Sequence, residues 1–101
     1  MTAQQVLFAH GSCLVEVDAR PFYSGQPKYT AFVSLLEDDG AIVRPLVLRN
    51  GRRIEIHAPS APDALDSAIS YLERRFGAVS KSSRKPSLAS SCFGRPVVVE
   101  D

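Results

Sequence analysis

The sequence predicts a two-layer α+β domain, a four-stranded antiparallel β-meander packed by one C-terminal α-helix in the order ββββα. Three observations predict it. Apolar and polar residues alternate from Cys13 to Arg20, Asn50-Gly51 separates two apolar runs, and an apolar stripe at helical spacing follows a serine cap at Ser60. Period two marks a half-buried strand and period 3.6 an amphipathic helix.

Residues 1–10 are ambiguous, with Val6-Leu7-Phe8 as a short strand or arm before a break at Gly11-Ser12. The first strand runs from Cys13 to Arg20. Cys13, Val15, Val17 and Ala19 lie on one face and Leu14, Glu16, Asp18 and Arg20 on the other. Pro21 to Pro27 is a loop. The second strand spans Tyr29 to Leu36 and is apolar on both faces. Glu37-Asp38-Asp39-Gly40 is a turn, because Asp and Gly accept the left-handed backbone region.

A third strand follows from Ala41 to Arg49, and a fourth from Arg52 to Ala58. Asn-Gly is the best pair for a two-residue type I′ turn. That turn pairs Arg49 with Arg52, Leu48 with Arg53, Val47 with Ile54, and Arg44 with His57. It sets Val43, Pro45, Val47, Ile54 and Ile56 on one face and Arg44, Leu46, Leu48, Arg53, Glu55 and His57 on the other. Pro45 cannot donate to a ladder, which favours an edge or a bulge.

Ser60 caps the helix, with Asp63 three residues on and Pro62 in the first turn. Ala61, Ala64, Leu65, Ala68, Ile69, Leu72 and Phe76 make its apolar stripe. Gly77 ends it. The domain therefore covers residues 1–77. Residues 78–101 form a flexible, serine-rich basic tail, with 92–99 as a candidate docking segment. The helix covers one sheet face. The other stays partly apolar and calls for cover by the VLF arm, the C-terminal valines or a second copy.

At 101 residues the chain holds one core, and a 45% apolar fraction is that of an ordinary globular domain. Net charge is +1, so bulk charge points neither to nucleic acid nor to membrane. No apolar run is long enough for a transmembrane helix, and the N-terminus lacks the pattern of a signal peptide. Two cysteines make no disulfide framework. The expectation is a soluble cytoplasmic protein with reduced thiols.

His10-Gly-Ser-Cys13 has the residues of a Cys–His pair, but Cys13 falls on an inward face, where cysteine acts as a small hydrophobe. The chain offers only His10, His57, Cys13 and Cys92 as soft ligands, so no metal site is expected. Glu37-Asp38-Asp39 is a solvated turn. No glycine-rich phosphate loop occurs. The reading is a non-catalytic module without a cofactor.

Arg44, Arg49, Arg52 and Arg53 crowd one hairpin beside His57. Arginine matches phosphate geometry, but it also flanks turns because its stem covers apolar neighbours. Two binding readings follow. A protein-interaction or homodimerising domain uses Leu46 and Leu48 on the partly apolar outer face. Alternatively, Arg44, Arg49, Arg52, Arg53 and His57 hold nucleic acid. In strand order alone the chain resembles small domains of the single-stranded-DNA-binding coactivator type, and also small sheet-plus-helix antitoxin domains. The first resemblance implies dimerisation through helices, the second a protein partner for the sheet.

Overall fold

The computed structural model describes residues 2–20, 28–82 and 91–99. It is an α+β domain with one helix on a mixed sheet of eight strands. The strands are β1 (Thr2–Phe8), β2 (Gly11–Arg20), β3 (Lys28–Glu37), β4 (Ile42–Val47), β5 (Glu55–Ala58), β6 (Val79–Lys81), β7 (Cys92–Phe93) and β8 (Val97–Val98), and the helix is α1 (Ala61–Phe76). The main path across the sheet is β6-β1-β2-β3-β4-β7; β5 pairs with β3 and β8 with β4.

The N-terminal ambiguity resolves as a strand. β1 and β2 form a tight hairpin with Phe8 opposite Gly11, so the turn lies at Ala9-His10 and not at Gly11-Ser12. A Cβ on Gly11 would meet the Phe8 ring at 3.1 Å, so glycine lets that ring lie over the strand. Phe8 also stacks on Phe76 at 4.7 Å, which ties this end of the sheet to the end of α1.

The helix forms as its sequence demands. Ser60 Oγ accepts from the Asp63 amide at 3.2 Å, and Gly77, at φ 84°, closes the last turn by donating its N–H to the Glu73 carbonyl. Ala64, Ala68 and Leu72 are buried against Val6, Cys13, Val15, Val17, Ala31, Val33, Leu46 and Ile54. This defines the inner face of the sheet. The outer face has its own buried cluster of Leu14, Leu36 and Val43.

The predicted hairpin of the third and fourth strands needs correction. β4 and β5 both run antiparallel to β3, β4 against Ser34–Glu37 and β5 against Tyr29–Phe32. They therefore point the same way and make one edge strand, interrupted by a tongue. Continuing both registers brings Leu46 and Ile54 to the same place, opposite Val33. The Ile54 amide donates to the Leu46 carbonyl at 3.1 Å and closes the neck. Pro45 occupies the last pair before the chain leaves β3, where a missing N–H costs least.

The tip of the tongue explains the slip. Gly51 N–H donates to the Leu48 carbonyl at 2.9 Å, and Leu48 N–H to the Arg52 carbonyl at 2.8 Å. Of the tip residues only Gly51 has positive φ, at 84°. The Asn50 side chain instead accepts from the Arg52 amide at 3.0 Å. The loop thus has three residues, Arg49 to Gly51, and its pairs are Leu48 with Arg52 and Val47 with Arg53. Moving a register by one residue moves side chains to the opposite face.

The sheet also extends past Gly77. β6 pairs with the outer edge of β1, and β7 and β8 pair in parallel with β4, so the sheet is not purely antiparallel. The expected cover of the outer face is not supplied by the VLF or VVV segments. Val6 lies in the inner core, as β1 is itself part of the sheet, and Val97 and Val99 also pack on the inner side. Tail residues 83–90 and loop residues 21–27 lie outside the described residues. Among the described residues, no helix is long and apolar enough to cross a membrane.

Candidate functional site

The structure distributes the four hairpin arginines over different surroundings. Arg44 pairs with Leu35 and so stands on the inner side of the sheet. Its Nη1 meets Glu37 Oε1 at 2.7 Å and its Nε donates to the Arg95 carbonyl at 3.0 Å. Arg53 lies on the outer face. Its guanidinium stands over the Phe32 ring at 4.9 Å, and Nη2 donates to Ser34 Oγ at 3.2 Å. Arg49 and Arg52 are exposed at the tip of the tongue. The predicted single basic face therefore divides into a tied inner arginine, an outer arginine seated on an aromatic ring, and two at the tip.

His57 is on the outer face, as expected. Its Nδ1 is 3.0 Å from Thr30 Oγ1, and its Nε2 is 3.9 Å from Glu55 Oε2. Leu46 and Leu48 are not on that face. Leu46 is 0% exposed in the inner core, and Leu48 packs partly buried against it. The one-residue slip at the tongue is the physical cause. Tyr29, at the start of β3, packs on the inner core, and Phe22 and Tyr23 of the preceding loop lie outside the described residues.

Sequence reasoning missed the apolar surface that the outer face does carry. Phe93 pairs with Val43 and Val98 with Val47. Directly paired residues project to the same side, so both stand on the outer face. Phe93 is 80% exposed and Val98 57%. Their exposed side chains flank the half-buried Pro45. The sign of this strip was present in CF and VVV at 92–99, but its face depends on parallel pairing that no local pattern announces. The rest of the outer face mixes charges: Glu16, Asp18 and Glu55 share it with Lys28, Arg53 and His57.

The HGSC motif separates. Cys13 is fully buried in the inner core, whereas His10 is exposed in the first turn. Burial pushes the Cys13 thiol up to about 12. We expect native protein at mildly alkaline pH to release one equivalent of a chromogenic disulfide reagent, from exposed Cys92, and the second only on denaturation. Two fast equivalents in the native state would contradict the fold. The folded state holds the Cys13 proton more tightly than the unfolded chain. The stability this contributes is complete below the unfolded pKa near 9 and is lost as pH rises toward about 12.

Among the described residues, no group of three His, Cys, Asp or Glu side chains is placed to hold a metal ion. Comparison with protein-family models, curated proteins and solved structures finds no match to this chain.

Proposed function

We infer that the protein is a non-catalytic binding module that meets another protein chain on its outer sheet face. The observation that carries this reading is the apolar strip of Phe93 and Val98, exposed along β4 on a face that α1 does not cover. Arg53, seated on Phe32, borders the strip with a charge held in place by packing. The mixed charge of the remaining face favours a protein over a polyanion, because Glu16, Asp18 and Glu55 would stand against phosphates.

A second reading rests on the tongue. Residues 41–54 contain four arginines and no carboxylate, and Arg49 and Arg52 are exposed at the tip. This is the part of the molecule that would suit phosphates.

One amide-shift experiment separates the two. With increasing protein concentration at high salt, the amides of Phe93, Val98, Val47 and Arg53 are expected to shift. The double variant Phe93→Asp/Val98→Asp is expected to abolish the shifts and keep the rest of the spectrum. If those amides stay still, and single-stranded oligonucleotides instead move Arg49 and Arg52 in a salt-sensitive way, the nucleic-acid reading replaces the first.

A further inference from the structure

The strands on the outside of β4 differ from the rest of the sheet. β7 and β8 have two residues each and run parallel to β4. They are held as a bound peptide is held. Cys92 N–H donates to the Ala41 carbonyl at 2.8 Å, Gly94 N–H to the Val43 carbonyl at 2.8 Å, and Val99 N–H to the Val47 carbonyl at 2.9 Å. The Ser91 hydroxyl donates to the Gly40 carbonyl, and the Arg95 carbonyl accepts from Arg44. Val97 and Val99 pack against the inner core. At Gly94 a Cβ would stand 2.7 Å from Ile42 Cγ2 and 3.0 Å from Arg44 Cγ, so the close approach requires glycine. Backbone bonds with alternate side chains in pockets are how a sheet edge captures an extended segment.

The connectivity adds a second constraint. β6 lies at one edge of the sheet and β7 at the other. Five strand spacings of about 4.8 Å make roughly 24 Å along the sheet. Only residues 83–90 separate Ser82 from Ser91. A fully extended chain covers at most about 30 Å over that count. A path over either face must also clear its side chains, so a connection within one molecule has little slack. A short connection invites exchange of the element it carries. The same segment of a second copy can make identical contacts, its eight linking residues spanning the gap between copies in place of the full width of one sheet.

We propose that the β4 edge is a strand-accepting site whose occupant is residues 91–99 of a second copy, so that two chains exchange C-terminal segments. The site is the backbone edge and inner side of β4, not the Phe93–Val98 strip. Its test therefore stands apart from that of the outer-face reading.

The test uses the full chain. Isotope-labelled and unlabelled protein are unfolded together, refolded and examined by isotope-filtered NMR, with the mass measured by light scattering. We expect a dimer in which the methyls of Leu46 in one chain contact those of Val97 in the other. Those inner-face methyls do not meet in a dimer formed through the outer face. A monomer at every concentration, or a dimer without interchain Leu46–Val97 contacts, overturns the proposal. Gly94→Val is expected to halve the mass and keep the helical signal, and a Gly94→Val dimer would also overturn it. Phe93→Asp/Val98→Asp is expected to leave the exchange intact, since both side chains point away from the seat.

Discussion

Leu46→Glu is expected to unfold the protein. Leu46 is 0% exposed and, with Ile54, closes the neck of the tongue over Val33. A glutamate there would be shut off from solvent among the apolar side chains of the core. Burying an unpaired carboxylate costs several kcal/mol, even when the group escapes by taking up a proton. A domain of this size has about 5–15 kcal/mol of stability in all, and the substitution also removes a buried leucine. Far-UV circular dichroism and urea titration provide the check. The pairing inferred from Asn50-Gly51 alone puts Leu46 on the outer face, where glutamate would leave folding intact and remove only assembly. A cooperative, near-native unfolding curve for Leu46→Glu would restore that pairing. Arg52→Glu, at the exposed tip, should change stability by no more than about 0.5 kcal/mol in either direction.

Leu14→Ala is the second large effect, and it probes the opposite face. Leu14 points away from α1, yet it is fully buried with Leu36 and Val43. Truncating a leucine in such a place costs about 2–5 kcal/mol. For a domain of this size each kcal/mol lowers the melting temperature by about 4–8 °C, so a fall of about 10 °C or more is expected. A change of only a degree or two would show that the outer cluster is open to solvent. Calorimetry of the two proteins decides it.

These two leucines mark how far the sequence could be read. The helix was legible in full, because cap, stripe, charge order and terminal glycine all act within a few residues of one another. The inner face of β2 was legible as well, since Cys13, Val15 and Val17 recur at every second position. The face assignment of residues 43–48 was not, although that of Arg53, Ile54 and His57 was. Asn-Gly suits a two-residue loop, but Asn50 uses its side chain to hold the Arg52 amide, and the loop takes a third residue. One residue then decides on which side Leu46 stands. The pairing of β7 and β8 was also illegible. Each has two residues, and their partner strand lies about fifty positions earlier in the chain. Their contacts are a property of the folded sheet and leave no periodicity to read. The candidate site suffered most, since Phe93 and Val98 gain their meaning only from that pairing.

The tongue has a consequence for how this chain can change. β4 and β5 continue one another along β3, so the sheet is complete without the loop residues 49–51. The neck isolates what lies above it from what lies below. Sequence inserted at Asn50-Gly51 would therefore lengthen a projection and leave the strand register as it is. Loop closure adds only about 0.6 kcal/mol for each doubling of length. The domain is thus a ready display scaffold: a foreign recognition loop can replace the tip while the framework beneath keeps its shape.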